Sequence, residues 1–86
     1  MKSLKNIIVQ EKINILMDLF PRTYTFRGKQ KSINDEQLEA LSYSLYLIFC
    51  GWGLTTATNR AGYKHNVSVL LLRRMIKKNM ELISSI

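Results

Sequence analysis

The sequence is short of cysteine, proline and acid: among 86 residues there are one cysteine, one proline and six Asp or Glu. Cys50 has no second thiol to pair with and no neighbouring ligands, which excludes an internal disulfide and a cysteine metal cluster, and fits a buried structural thiol in a reducing cytosol. A single histidine, His65, with no cysteine or second histidine near it in the chain, gives no ligand set either, so neither metal nor cofactor is expected. Long apolar runs are also missing. The longest, Leu41 to Leu54, is 14 residues and contains Ser42, Ser44 and two glycines, short of the ~20 that span a bilayer. The opening Met1-Lys-Ser-Leu-Lys5 looks superficially like a secretion signal, but Gln10, Glu11, Lys12 and Asn14 break the apolar stretch that follows. A soluble, cytoplasmic chain with no membrane span is the expectation.

Chemistry-bearing patterns are scarce too. There is no glycine-rich loop to cradle a phosphate, and Ser, His and Asp form no nucleophilic set. The acids Asp35, Glu36 and Glu39 cluster where a helix should begin, a role the helix dipole explains without catalysis. No catalytic residue and no small-molecule substrate are expected, and the chain reads as a non-enzyme.

What is abundant is positive charge. Thirteen Lys and Arg give a net charge of +7 and a pI near 9.9, which suits a polyanion: nucleic acid, or an anionic membrane surface. A chain this short buries only somewhat over ~60% of its unfolded surface, so a homo-oligomer is expected to add stability.

Periodicity points to an all-α fold class with about four helices, and with the basic charge to a single helical DNA-binding domain over residues 1–86. Residues 1–20 read as an N-terminal helix, with one apolar set at 9, 13, 16 and 20 and a second at 8, 15 and 19, a surface wide enough to dimerise. Pro21 stops it. Arg22 to Lys31 reads as a basic connector, its alternating Tyr24-Thr-Phe26 able to pair briefly as a strand. Asn34 with Gln37 forms a capping-box pattern, and Leu38, Leu41, Leu45 and Ile48 or Phe49 a buried stripe ended by Gly51 and Gly53. Trp52, between those glycines, reads as a core plug.

Residues 34–83 then read as a helix-turn-helix region. Thr55 or Thr56 caps a brief helix to Arg60 or Ala61, Gly62 makes the turn, and a second helix runs from about Asn66, its cap, to Ile83. Ala57, Ala61, Gly62, Tyr63, Leu71 and Leu72 stand at intervals suited to packing the two helices, with Val67, Met75, Ile76 and Leu82 also inward. Ser68 falls where this register wants a buried aliphatic residue. Between Cys50 and Met80 there is no acid, yet Arg60, Lys64, Arg73, Arg74, Lys77 and Lys78 are present, the bias a phosphate-contacting face requires. Residues early in the second helix approach base edges, which nominates Lys64, His65, Asn66, Val69 and Arg73 for double-stranded DNA, with Arg74 beside them and Arg60, Lys77 and Lys78 as phosphate contacts.

Ile33 to Asn79 resembles the PapB-type regulators of bacterial fimbrial (adhesin) operons. The likeness lies in the helix Leu38-Glu-Ala-Leu-Ser-Tyr-Ser-Leu-Tyr-Leu47, the glycine at 51, the Thr-rich first helix of the motif, and the ending Leu72-Arg-Arg-Met-Ile-Lys-Lys-Asn79. The resemblance implies a cytoplasmic transcription regulator that binds AT-rich DNA as an oligomer near the promoter of a surface organelle. A different class of function, a basic helical protein that binds and modulates another protein, is favoured by the wide apolar surface of residues 4 to 20.

Overall fold

Val9, Ile13, Leu16 and Phe20 recur at helical spacing, and in the computed structural model, which describes residues 4–86, this row is what the first helix buries. Helix α1 covers Leu4–Leu19, and the expected positions 1–3 of that helix lie outside the described residues. The second apolar row, Ile8, Ile15 and Leu19, faces outward. Past Pro21, the Arg22 side chain reaches back to donate to the Met17 carbonyl at 3.0 Å, and the Ile33 amide donates to the Arg22 carbonyl at 2.8 Å.

Between those anchors lies a β-hairpin, which corrects the all-α expectation. Strands β1 (Thr23–Phe26) and β2 (Lys29–Ser32) pair antiparallel, Thr23 opposite Ser32 and Phe26 opposite Lys29. Arg27 and Gly28, at φ of 52° and 76°, form the two-residue loop with both residues left-handed that matches strand twist. Lys-Gln-Lys-Ser has no apolar alternation, so β2 leaves no trace in hydropathy. Its register comes from the turn, and Tyr24 fastens the hairpin to the core.

Helix α2 (Asp35–Phe49) starts as its sequence specifies: Asn34 Oδ1 accepts from the Gln37 amide at 2.8 Å, and Gln37 Oε1 accepts from the Asn34 amide at 2.9 Å. It ends at Gly51, φ 104°, where the Gly51 and Trp52 amides donate to the Ile48 and Leu47 carbonyls, the paired bonds of a Schellman ending. Leu41 and Leu45 are fully buried at the centre of the core, while Leu38, Ile48 and Phe49 are half-buried. Cys50 is half-buried rather than buried. It raises the Tyr46 phenol above its ordinary pKa, chiefly by charge repulsion, with desolvation and a hydrogen bond adding to it.

The remaining helices are α3 (Leu54–His65), α4 (Val69–Lys78) and the short α5 (Met80–Ser84), five helices in all among the described residues. Several expected boundaries move. Helix α3 begins one residue before Thr55, behind Gly53, with no side-chain cap, and runs through Gly62 to His65. The turn is therefore not at Gly62. Asn66 supplies it, at φ 53° and ψ 49°, closing α3 rather than capping the next helix. Ser68 caps α4 instead, its Oγ accepting from the Leu71 amide at 3.3 Å. The expected single helix to Ile83 breaks at Asn79, whose side-chain amide donates to the Met75 carbonyl at 2.8 Å. Leu72, Met75, Ile76 and Ile83 join the core; Val67, Leu71 and Leu82 pack partly against it.

Candidate nucleic-acid interface

The close approach of α3 and α4 depends on a missing side chain. A Cβ at Gly62 would lie 2.5 Å from Val69 Cγ2 and 2.9 Å from the Val67 carbonyl oxygen, so glycine is required here for packing and not for a turn. Three residues then reverse the chain. Asn66, a residue that tolerates the left-handed region, closes α3; the Val67 amide donates to the Gly62 carbonyl; and Ser68 opens α4. The Ser68 conflict in the sequence is thereby resolved: the position demands a cap, not an aliphatic core residue.

Arg73 locks the crossing. Its Nε donates to Thr58 Oγ1 at 2.9 Å, and its Nη2 donates to Asn59 Oδ1 at 2.7 Å and to the Thr55 carbonyl at 3.4 Å. Thr58 is fully buried and points its own hydroxyl hydrogen back to the Leu54 carbonyl at 2.8 Å, leaving the oxygen free to accept from Arg73. With these donors occupied on α3, Arg73 works first as a clamp between the helices.

Leu70, Arg74, Lys77 and Lys78, spaced i, i+4, i+7 and i+8, form the outward face of α4, and all four are exposed. Leu70 is 75% exposed. Hydropathy gives no hint of this, because Leu70 sits inside the run Val69-Leu-Leu-Leu72; the signal that could have found it is the cap at Ser68, which sets where the helix starts and so which face each residue takes. Val69 is half-buried against Gly62.

The nominated residues of α3 lie elsewhere. The Arg60 guanidinium sits 4.8 Å from the centroid of the Trp52 ring, and Lys64 Nζ sits 4.4 Å from that of Tyr43, cation–π contacts that hold both charges beside aromatic surface. Trp52 is 39% exposed and Tyr63 90% exposed, so neither fills the interior position expected of it. Asn66 is exposed in the turn. His65 faces the start of α2, its Nδ1 3.7 Å from Glu36 Oε2 and 3.6 Å from Glu39 Oε2. These three potential ligand atoms lie within 4.8 Å of one another, a grouping of metal-ligand types that spacing along the chain conceals. Both separations exceed hydrogen-bond length, and the contact is ionic when the imidazole is protonated.

The structure thus gathers five of the nine nominated residues (Val69, Arg73, Arg74, Lys77 and Lys78) on α4, and separates Arg60, Lys64 and His65 on α3 and Asn66 in the turn. The sequence between Glu39 and Glu81 has no acid, and the ion pairs among the described residues both involve His65, so no described acid neutralises the outward charges of α4. No helix among the described residues is long and apolar enough to cross a membrane. Comparison with known proteins finds no protein-family model, no curated protein and no solved structure that matches the chain.

Proposed function

We propose that the chain is a sequence-specific DNA-binding transcription regulator in which α3, the Asn66–Ser68 turn and α4 act as a helix-turn-helix. The observation that carries this reading is the division of labour on α4: Arg73 is spent holding the helix across α3, while Arg74, Lys77 and Lys78 project outward without acidic partners. A fixed helix presenting one arginine, two lysines and an apolar side chain suits the major groove, where arginine pairs with guanine, lysines meet phosphate and Leu70 meets a thymine methyl. The resemblance of residues 33–79 to PapB-type regulators points the same way, toward control of an adhesin operon.

The reading includes self-association through α1. Ile8, Ile15 and Leu19 are 46%, 53% and 58% exposed and lie along one side of that helix, an apolar stripe that a second copy would cover. A two-fold dimer reads two half-sites about one DNA turn, or a multiple of it, apart. Selection of bound duplexes from a random pool tests function and symmetry together. Enrichment of an inverted repeat is expected, and a pool unenriched after repeated rounds would refute sequence-specific binding.

A further inference from the structure

Beside α4 lies a partly enclosed cleft of about 210 Å³, formed between the C-terminal half of that helix and the β-hairpin. Phe20 and Met75, both nearly fully buried, and the half-buried Ile33 provide its apolar lining. Thr23, Thr25 and Gln30 line it from one face of the hairpin, as expected from their pairing register and the two-residue side-chain period of strands. Arg74 and Lys78 line it from α4. No lining residue is acidic.

We propose that this cleft binds a small organic anion, a carboxylate carrying a compact apolar body, as an effector of the protein rather than a substrate. The charge complementarity is specific. Arg74 and Lys78 lie i, i+4 on one helix and have no side-chain partner among the described residues, and the Thr25 hydroxyl is likewise unengaged among them. A carboxylate placed between the two cations gains charge-assisted hydrogen bonds, bidentate ones at the guanidinium. The rest of the ligand rests on the half-buried Tyr24 and Ile33, with only the small exposed edges of Phe20 and Met75 beneath it. Gln30, oriented by the bond from its Nε2 to Thr23 Oγ1 at 2.9 Å, and Thr25 offer polar contacts at the side. The volume is below the ~300–1,000 Å³ usual for drug-sized ligands, which limits the occupant to a body of about one ring.

The site stands without the DNA reading; its regulatory consequence rests on that reading. A carboxylate on Arg74 and Lys78 occupies two charges of the outward face, so ligand and DNA bind in opposition, and by linkage each weakens the other by the same factor.

Benzoate is the probe, titrated into the full chain at constant ionic strength and followed by amide NMR shifts, with benzyl alcohol as the neutral match in size. Saturable shifts at Thr23, Thr25, Gln30 and Arg74 are expected, with affinity about tenfold or more weaker for benzyl alcohol and for the Arg74→Gln, Lys78→Gln double variant. Shifts that fail to saturate up to the solubility limit, or affinities equal across both controls, would overturn the site. A second arm measures DNA affinity with and without saturating benzoate. Weaker DNA binding by the parent chain supports the coupling, and unchanged binding refutes it while leaving the site intact. Failure to bind DNA without benzoate would refute the function proposed above, and the NMR result would still decide the cleft.

Discussion

Arg73 Nε donates to Thr58 Oγ1 at 2.9 Å, so the one arginine of α4 that would be expected to read DNA from its place in the sequence is tied to the buried hydroxyl of α3. Removing it leaves the Thr58 oxygen without its donor and frees the crossing of the two helices. Arg73→Ala should cost about 2 kcal/mol in urea-induced unfolding, in the range of hydrogen bonds to charged groups. Arg73→Lys keeps the charge without the fork that reaches Thr58, Asn59 and the Thr55 carbonyl, and should recover less than half of that loss. Arg74→Ala, exposed and unpartnered, should stay within ~0.5 kcal/mol of the parent. Equal stability of the Arg73 and Arg74 variants would remove the clamp.

Gly62 allows a second test of the same crossing. Alanine gains about 1 kcal/mol of helix propensity over glycine, but its Cβ would meet Val69 Cγ2 and the Val67 carbonyl at distances that real contacts do not show. Gly62→Ala should therefore be destabilised by ~1–3 kcal/mol despite the better helix former. A Val69→Ala partner mutation should return part of this in a double-mutant cycle, because it removes the nearer atom while the backbone carbonyl stays.

The turn separates two residues of similar type by their jobs. Asn66 needs a left-handed backbone, so Asn66→Gly should be close to neutral and Asn66→Val should cost ~1–2 kcal/mol. Ser68 needs an acceptor for the Leu71 amide; Ser68→Ala should cost ~1 kcal/mol and Ser68→Asp should be tolerated. Thermal unfolding of the four variants checks the pattern, and a low cost for Asn66→Val would contradict the turn described.

These positions also explain what the sequence made legible. The capping box at Asn34 and Gln37 and the row Val9, Ile13, Leu16 and Phe20 are local signals, complete within one helix, and both form as read. Gly62 misled because glycine is the usual left-handed residue, whereas here it serves a contact between helices that only the folded arrangement creates. With the turn displaced to Asn66–Ser68, the inward row Leu72, Met75 and Ile76 stands as read, and the positions around it take new jobs. Leu70 turns outward, Ser68 becomes a cap and Arg73 swings onto α3. Of the hairpin, β1 shows in the alternating Tyr24-Thr-Phe26, whereas β2 does not show, because Lys-Gln-Lys-Ser has no apolar alternation. Trp52 reads as a core plug because hydropathy is blind to its pairing with Arg60, eight residues on, whose guanidinium lies 4.8 Å from the ring centroid.

Self-association through α1 makes its own demand. Ile15→Glu with Leu19→Glu changes exposed side chains and should leave the helical circular dichroism intact while converting the oligomer to monomer in sedimentation equilibrium. A parent chain that is already monomeric at all concentrations would rule out this part of the proposal, as would an oligomer untouched by the double substitution.

The central claim, that α4 presents its outward cations to DNA phosphate, is tested most directly by the salt dependence of duplex binding. Each phosphate contact contributes a slope of about −0.9 to log K against log[salt]. The parent chain should bind with a steep slope, and the double variant Lys77→Ala, Lys78→Ala should lose about two contacts' worth of it while unfolding at the same urea concentration. Binding that is insensitive to salt, or a slope unchanged in the double variant, would contradict the claim.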